Sequence, residues 1–127
     1  MRLHHVQVGC PLGGEDQARA LYPLLGLTEV PKPAALAGRG GCWFRAHEAG
    51  RVVAELHVGV EEGFRPARKA HPAFALESVA ELEGLAERLA RAGYSVDDSD
   101  RTTFEGYFRF HVADPFGNRV EVLAPRL

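Results

Sequence analysis

Four side chains of metal-ligand type recur at one interval in this sequence. His5 and Glu55 stand 50 residues apart, and so do His71 and Glu121. Neutral imidazole nitrogen and carboxylate oxygen together suit a divalent ion such as zinc, iron, manganese, nickel or cobalt. Two histidines with one or two glutamates leave coordination positions open for water or substrate, as a catalytic site needs and a closed structural site does not allow. Each residue taken singly has a plainer reading. Strict alternation in Val120-Glu121-Val122-Leu123 would point Glu121 at solvent; strand pleating turns one of His4 and His5 away; and His71, ahead of Pro72, is an ordinary strand-start histidine. The repetition of the set is what favours a metal. His57, two residues beyond Glu55 on the same strand face, competes with it for the N-terminal position.

The elements that must hold these residues also repeat. Leu3 to Val8 alternates like a half-buried strand, and Pro11, Gly13 and Gly14 break it. Glu15 and Asp16 open a helix whose apolar stripe is Ala18, Leu21, Tyr22, Leu24 and Leu25; Pro23 shortens its last turn and Gly26 stops it. Strands are predicted over Leu27 to Val30, Cys42 to Arg45 and Arg51 to Val58, with a loop rich in Ala and Gly running to Gly41. Gly59 to Ala70 has no period and reads as a linker. The order then restarts: a strand from His71 to Leu76, and a helix with a capping box of Ser78 and Glu81 and a stripe of Val79, Leu82, Leu85, Ala86 and Leu89, ending at Gly93. Strands follow at Tyr94 to Val96, Tyr107 to Ala113 and Arg119 to Leu123, the last two joined by the turn Asp114-Pro115-Phe116-Gly117-Asn118. The pattern is βαβββ twice, an internal duplication supported by element order more than by residue identity. The fold class is α+β: one domain over 1–127, with one half at about 1–60 and the other at about 70–127, forming a curved mixed sheet around a shared cavity that His5, His71 and Glu121 face.

Bulk properties limit the function classes. With 15 Lys and Arg against 17 Asp and Glu, the net charge is −2, so nucleic acid and membrane surfaces are not expected partners. Cys10 and Cys42 are too few for a disulfide framework, no apolar run is long enough to span a bilayer, and no signal-peptide core opens the chain, so a cytoplasmic location is expected. Both cysteines are expected to pack as small apolar groups. Trp43 and Phe44 read as core, and His47 as a solvated turn residue. Arg45, Arg65, Arg68 and Lys69 read as solvated charge with a possible role toward an anion. Tyr107, Arg109 and His111 share one strand face, lining either a cavity or the outside. No phosphate loop, nucleophile elbow or Cys-x-x-Cys pair is present.

Five segments carry a resemblance to the vicinal oxygen chelate superfamily, which includes glyoxalase I, bleomycin-resistance proteins, extradiol dioxygenases, fosfomycin-resistance enzymes and methylmalonyl-CoA epimerase. They are Leu3-His4-His5-Val6-Gln7-Val8, Leu24-Leu25-Gly26-Leu27, Ala54-Glu55-Leu56-His57, His71-Pro72-Ala73-Phe74-Ala75-Leu76, and Asp114 to Leu123, the last being the most specific. The resemblance covers nearly the whole chain. It implies metal ligands at His5 rather than His4, at His71, at Glu121, and at Glu55 with His57 as rival. Pro23 and Pro72 depart from the family pattern, and Pro72 fixes the backbone beside His71. The implied activity is metal-dependent chelation of a small oxygenated substrate with enolate or oxyanion stabilisation, with Glu121 or Glu55 as general base; a homodimer is implied as well. The alternative is a metal-free protein that binds or sequesters a small molecule, of the bleomycin-resistance kind.

Overall fold

Alternating and helical periods fold here into two successive modules, described over residues 1–127 by a computed structural model. The chain divides into Met1–Pro66 and Ala67–Leu127, a boundary inside the aperiodic stretch from Gly59 to Ala70.

In the N-terminal module, β1 (Val6–Cys10) is followed by α1 (Glu15–Leu21), a 3₁₀ turn (Tyr22–Leu25), β2 (Thr28–Val30), α2 (Ala34–Ala37), β3 (Cys42–Glu48) and β4 (Arg51–Val60). The sheet order is β1-β4-β3-β2, with β1 parallel to β4 and the other pairs antiparallel. Pro23 ends the α-helical hydrogen bonding as its chemistry requires: α1 stops at Leu21, the chain tightens into the 3₁₀ turn, and Gly26 closes it at φ +94°. The Ala- and Gly-rich loop contains the short helix α2, which its local composition permits and its length hides.

The C-terminal module repeats the order as β5 (Ala73–Ala75), α3 (Val79–Arg91), β6 (Val96–Asp97), β7 (Tyr107–Ala113) and β8 (Arg119–Pro125), arranged β5-β8-β7-β6 with β5 parallel to β8. Ser78 caps α3 by accepting from the Glu81 amide at 3.2 Å, and the Glu81 carboxylate reaches back to the Glu77 amide at 3.1 Å.

In each module the two faces of the sheet differ. One face is apolar and lies in the core: Val8, Cys10, Cys42, Phe44, Leu56 and Val58 are buried with Leu21 and Tyr22 in the first module, and Phe110, Val112, Val120 and Val122 with Leu82, Leu85 and Leu89 in the second. Period-two alternation then forces the other face to present His57, Glu55, Trp43 and Arg45 in the first module, and Glu121, His111 and Arg109 in the second. The fold thus gathers the chemistry-bearing residues of each module on the face opposite its core. No helix is long and apolar enough to cross a membrane.

Candidate metal centre

In the C-terminal module, Glu121 is carried by β8, whose entry is fixed by the turn before it. The Asp114 carboxylate accepts from the amides of Phe116 and Asn118 at 2.9 and 2.7 Å and from the Asn118 side chain at 2.8 Å, while Gly117 takes φ +89°. This network sets the β7–β8 register that brings His111 directly opposite Glu121. Glu121 is buried, and its Oε1 meets Arg109 Nη1 at 3.0 Å, His111 Nε2 at 3.1 Å and His71 Nε2 at 3.3 Å. All three contacts fall on that one oxygen; Oε2 has no hydrogen bond. His71 precedes β5 rather than opening it, and its ring is held by the Lys69 carbonyl, 2.6 Å from Nδ1. Burial lowers the pKa of His111, helped by the charge of Arg119 and opposed by Glu121, so this imidazole favours the neutral form that ligates metals. His71, His111 and Glu121 each present a ligand atom within 4.8 Å of the others.

In the N-terminal module, Glu55 is buried and hydrogen-bonded on both oxygens. Oε1 accepts from Arg45 Nε at 2.5 Å, and Oε2 lies 2.7 Å from His57 Nε2. Burial would raise its pKa, but the bonds from His57 and Arg45 outweigh that and hold the carboxyl below its ordinary value. His57 is stacked between two rings, Trp43 at 3.8 Å and His5 at 4.0 Å between centroids, and burial lowers its pKa against the pull of Glu55. His4, His5 and Glu55 form a second cluster with ligand atoms within 4.8 Å.

Two expectations change here. Strand alternation does not separate His4 from His5, because β1 begins at Val6; the two Nδ1 atoms lie 2.9 Å apart, and His4 Nδ1 is 4.0 Å from Glu55. The equal interval of 50 residues also does not carry equal register. Gln7, two residues after His5, pairs with His57, whereas Ala73, two residues after His71, pairs with Glu121. By register it is His57 that takes the place of Glu121 in the N-terminal module.

Sequence reasoning noticed His111 and Arg109 without assigning them to the site; their alternation with Tyr107 was the available signal, and the pairing across β7 and β8 supplies the rest. Arg45 is paired with Glu55 rather than only solvated. Trp43 is half-buried against His57, while Phe44 is core. Both cysteines are buried, and burial pushes the Cys42 thiol up to about 11, which leaves it unsuited to nucleophilic work.

Residues 23–122 match the Glyoxalase/Bleomycin resistance protein/Dioxygenase superfamily, and the chain belongs to it. Among solved structures, a Bacillus anthracis protein assigned to the glyoxalase family is 40% identical, with a TM-score of 0.80, covering 99% of this chain and 100% of its own. The fold is shared with a Bacillus halodurans protein also assigned as a glyoxalase (23% identity, TM-score 0.66, 97% and 95% covered). It is shared too with a mutant of the genomically encoded fosfomycin resistance protein FosX from Listeria monocytogenes, complexed with Mn(II) and 1S,2S-dihydroxypropylphosphonic acid (18% identity, TM-score 0.74, 99% and 93% covered). No curated protein matches the chain.

Proposed function

We propose that this protein is a metal-dependent enzyme of its superfamily, acting on a small oxygenated molecule, with Glu121 as the central residue. The observation that carries this reading is the unequal use of the Glu121 carboxylate: three nitrogen atoms crowd Oε1, and Oε2 is left for another partner. The donor set fits a divalent ion. Imidazole nitrogen from His71 and His111 and oxygen from Glu121 suit zinc, iron, manganese, nickel or cobalt. The Mn(II) complex of the fold relative FosX agrees with this choice of class. In the N-terminal module His4, His5 and Glu55 bring ligand atoms together, with His57 stacked on His5 beside them.

Bound there, a divalent ion would supply Lewis acidity toward negative charge developing on substrate oxygen. The chain's own residues do the rest. Glu121 Oε2 is the oxygen left to hold the ion. Arg109 pairs with Glu121 Oε1 and presents a guanidinium to an oxyanion. Burial lowers the pKa of His111, which favours the neutral ring that can ligate the ion. Homodimer formation belongs to the same proposal, and light scattering on the purified protein checks it.

The test is metal analysis of protein purified without chelator, followed by titration of the stripped protein with Mn(II) and Zn(II). Glu121→Ala and His71→Ala should abolish tight binding, and His5→Ala reports what the N-terminal cluster contributes. Wild-type protein that carries no metal and takes up none would overturn the enzyme reading. It would leave the metal-free binding protein as the alternative.

A further inference from the structure

A pocket of about 160 Å³ opens on the N-terminal module, walled by Gln7, Lys32, Leu36, Arg39, Trp43 and Gly59. Its chemistry differs from that of the histidine and glutamate clusters. Two cations stand in its wall and no carboxylate does. Lys32 donates to the Gly40 carbonyl, which uses one of its three ammonium protons. Arg39 is exposed and makes no ion pair, so its guanidinium fork is available. Glu15, at the start of α1, is not part of the wall, though its Oε2 lies 3.8 Å from where a Cβ on Gly40 would stand.

The remaining walls suit an apolar or flat body. Leu36 and the Trp43 indole supply the apolar surface, and Trp43 is fixed by stacking on His57 with an interplanar angle of 2°. Gln7 adds an amide that can both donate and accept. Its position depends on Gly59, where an added Cβ would come within 2.7 Å of the Gln7 nitrogen. In volume the pocket is close to a cavity of roughly 150 Å³ that holds one benzene ring. A metal ion has no anionic ligand in this wall, and an anion makes charge-assisted bonds to Lys32 and Arg39 that a neutral ligand cannot.

We infer that this pocket binds a small organic anion, its carboxylate or phosphate head held by Lys32 and Arg39 and its body packed on Trp43 and Leu36. The site requires no bound metal. Trp43 is the single tryptophan of the chain, so its fluorescence reports occupancy directly. The experiment titrates chelator-treated full-length protein with benzoate and with phenylphosphate, using benzamide as the neutral isostere. At least one of the two acids should change Trp43 emission saturably, benzamide should bind at least tenfold more weakly, and Lys32→Gln with Arg39→Gln should weaken the acid at least tenfold while leaving the circular dichroism spectrum unchanged. Equal binding of benzamide, an unaffected double variant, or no saturable response to either acid would each overturn the inference. The two readings fail separately: a protein that takes up no metal yet binds benzoate keeps this one and loses the metal enzyme, whereas one that takes up metal but gives no response to the acids does the reverse.

Discussion

Glu55 and Glu121 occupy the last strands of two modules built on one plan, yet their carboxylates are used differently. Glu55 is closed: Arg45 takes one oxygen and His57 the other. Glu121 is open: Arg109, His71 and His111 meet the same oxygen and leave its partner unbonded. A duplicated fold places an acidic side chain twice on the face opposite the core. Whether that side chain becomes a fixed part of the structure or a reactive group depends on the cross-strand neighbours. Opposite Glu55 stands Arg45, a permanent cation; opposite Glu121 stands His111, which can be neutral.

The largest effect that could break this contrast is on metal affinity. Glu121→Gln keeps the shape and loses the anionic oxygen, so divalent-ion affinity should fall at least about 100-fold, or roughly 2.7 kcal/mol. Glu55→Gln should stay within about threefold, because its oxygens are already engaged. Calorimetric titration of stripped protein with Mn(II) checks both. A larger loss at Glu55 would reverse the assignment of the two modules.

Stability should show the opposite order. Glu55→Ala leaves Arg45 and buried His57 without their partner, a loss of about 2 kcal/mol once the partial exposure of Arg45 is discounted. Glu121→Ala leaves buried His111 alone without its partner and should cost about 1 kcal/mol in the metal-free protein. There Arg109 retains the Asp100 carbonyl at 3.2 Å and Thr103 Oγ1 at 2.7 Å, and His71 retains the Lys69 carbonyl. Urea unfolding of the two variants side by side checks the ordering.

The parts of this arrangement visible in the sequence are those governed by local chemistry. Period-two alternation located the long strands, the Ser78 and Glu81 box located α3, and the Asp114 to Asn118 turn located the entry to Glu121. The inferences that went astray rested on where a pattern begins or how two strands align. Pleating holds where a strand is paired, and β1 pairs with β4 only from Val6 onward, past His4 and His5. The matched 50-residue intervals suggested matched positions, but β1 and β5 pair with their partners two residues apart in register. Register is a property of two strands together, so no count along one chain reveals it. The convergence of His111 and Arg109 on Glu121 was hidden for the same reason.

The contrast also has a pH signature. Burial holds the imidazoles of His57 and His111 below the ordinary histidine pKa of about 6.5. As pH falls below that value the unfolded chain gains protons that the folded one refuses, so stability falls with falling pH. Glu55 adds a second loss. Its folded pKa is depressed, so its contribution is present above about pH 4.3 and disappears as pH falls through the folded value. Metal-free protein should therefore weaken in two stages on acidification. His111→Leu should reduce the first stage by about half and leave the second, whereas Glu55→Gln should remove the second. Denaturant midpoints from pH 7 to pH 3 check this.

The smallest expected effect concerns the ring stack that the N-terminal module has in place of an open carboxylate. His57 lies between His5 and Trp43, with ring planes 18° and 2° from parallel. His57→Leu keeps most of the volume but removes the stacking and the bond to Glu55, a cost of about 1 kcal/mol. Trp43 would lose the ring that fixes it, and its emission should shift to longer wavelength as the indole gains contact with water. Manganese affinity should change less than threefold if His57 serves this packing role. By register, however, His57 stands where Glu121 stands in the other module, so a large loss of affinity would make it a ligand instead. One substitution read by fluorescence and by calorimetry thus decides whether His57 packs or ligates.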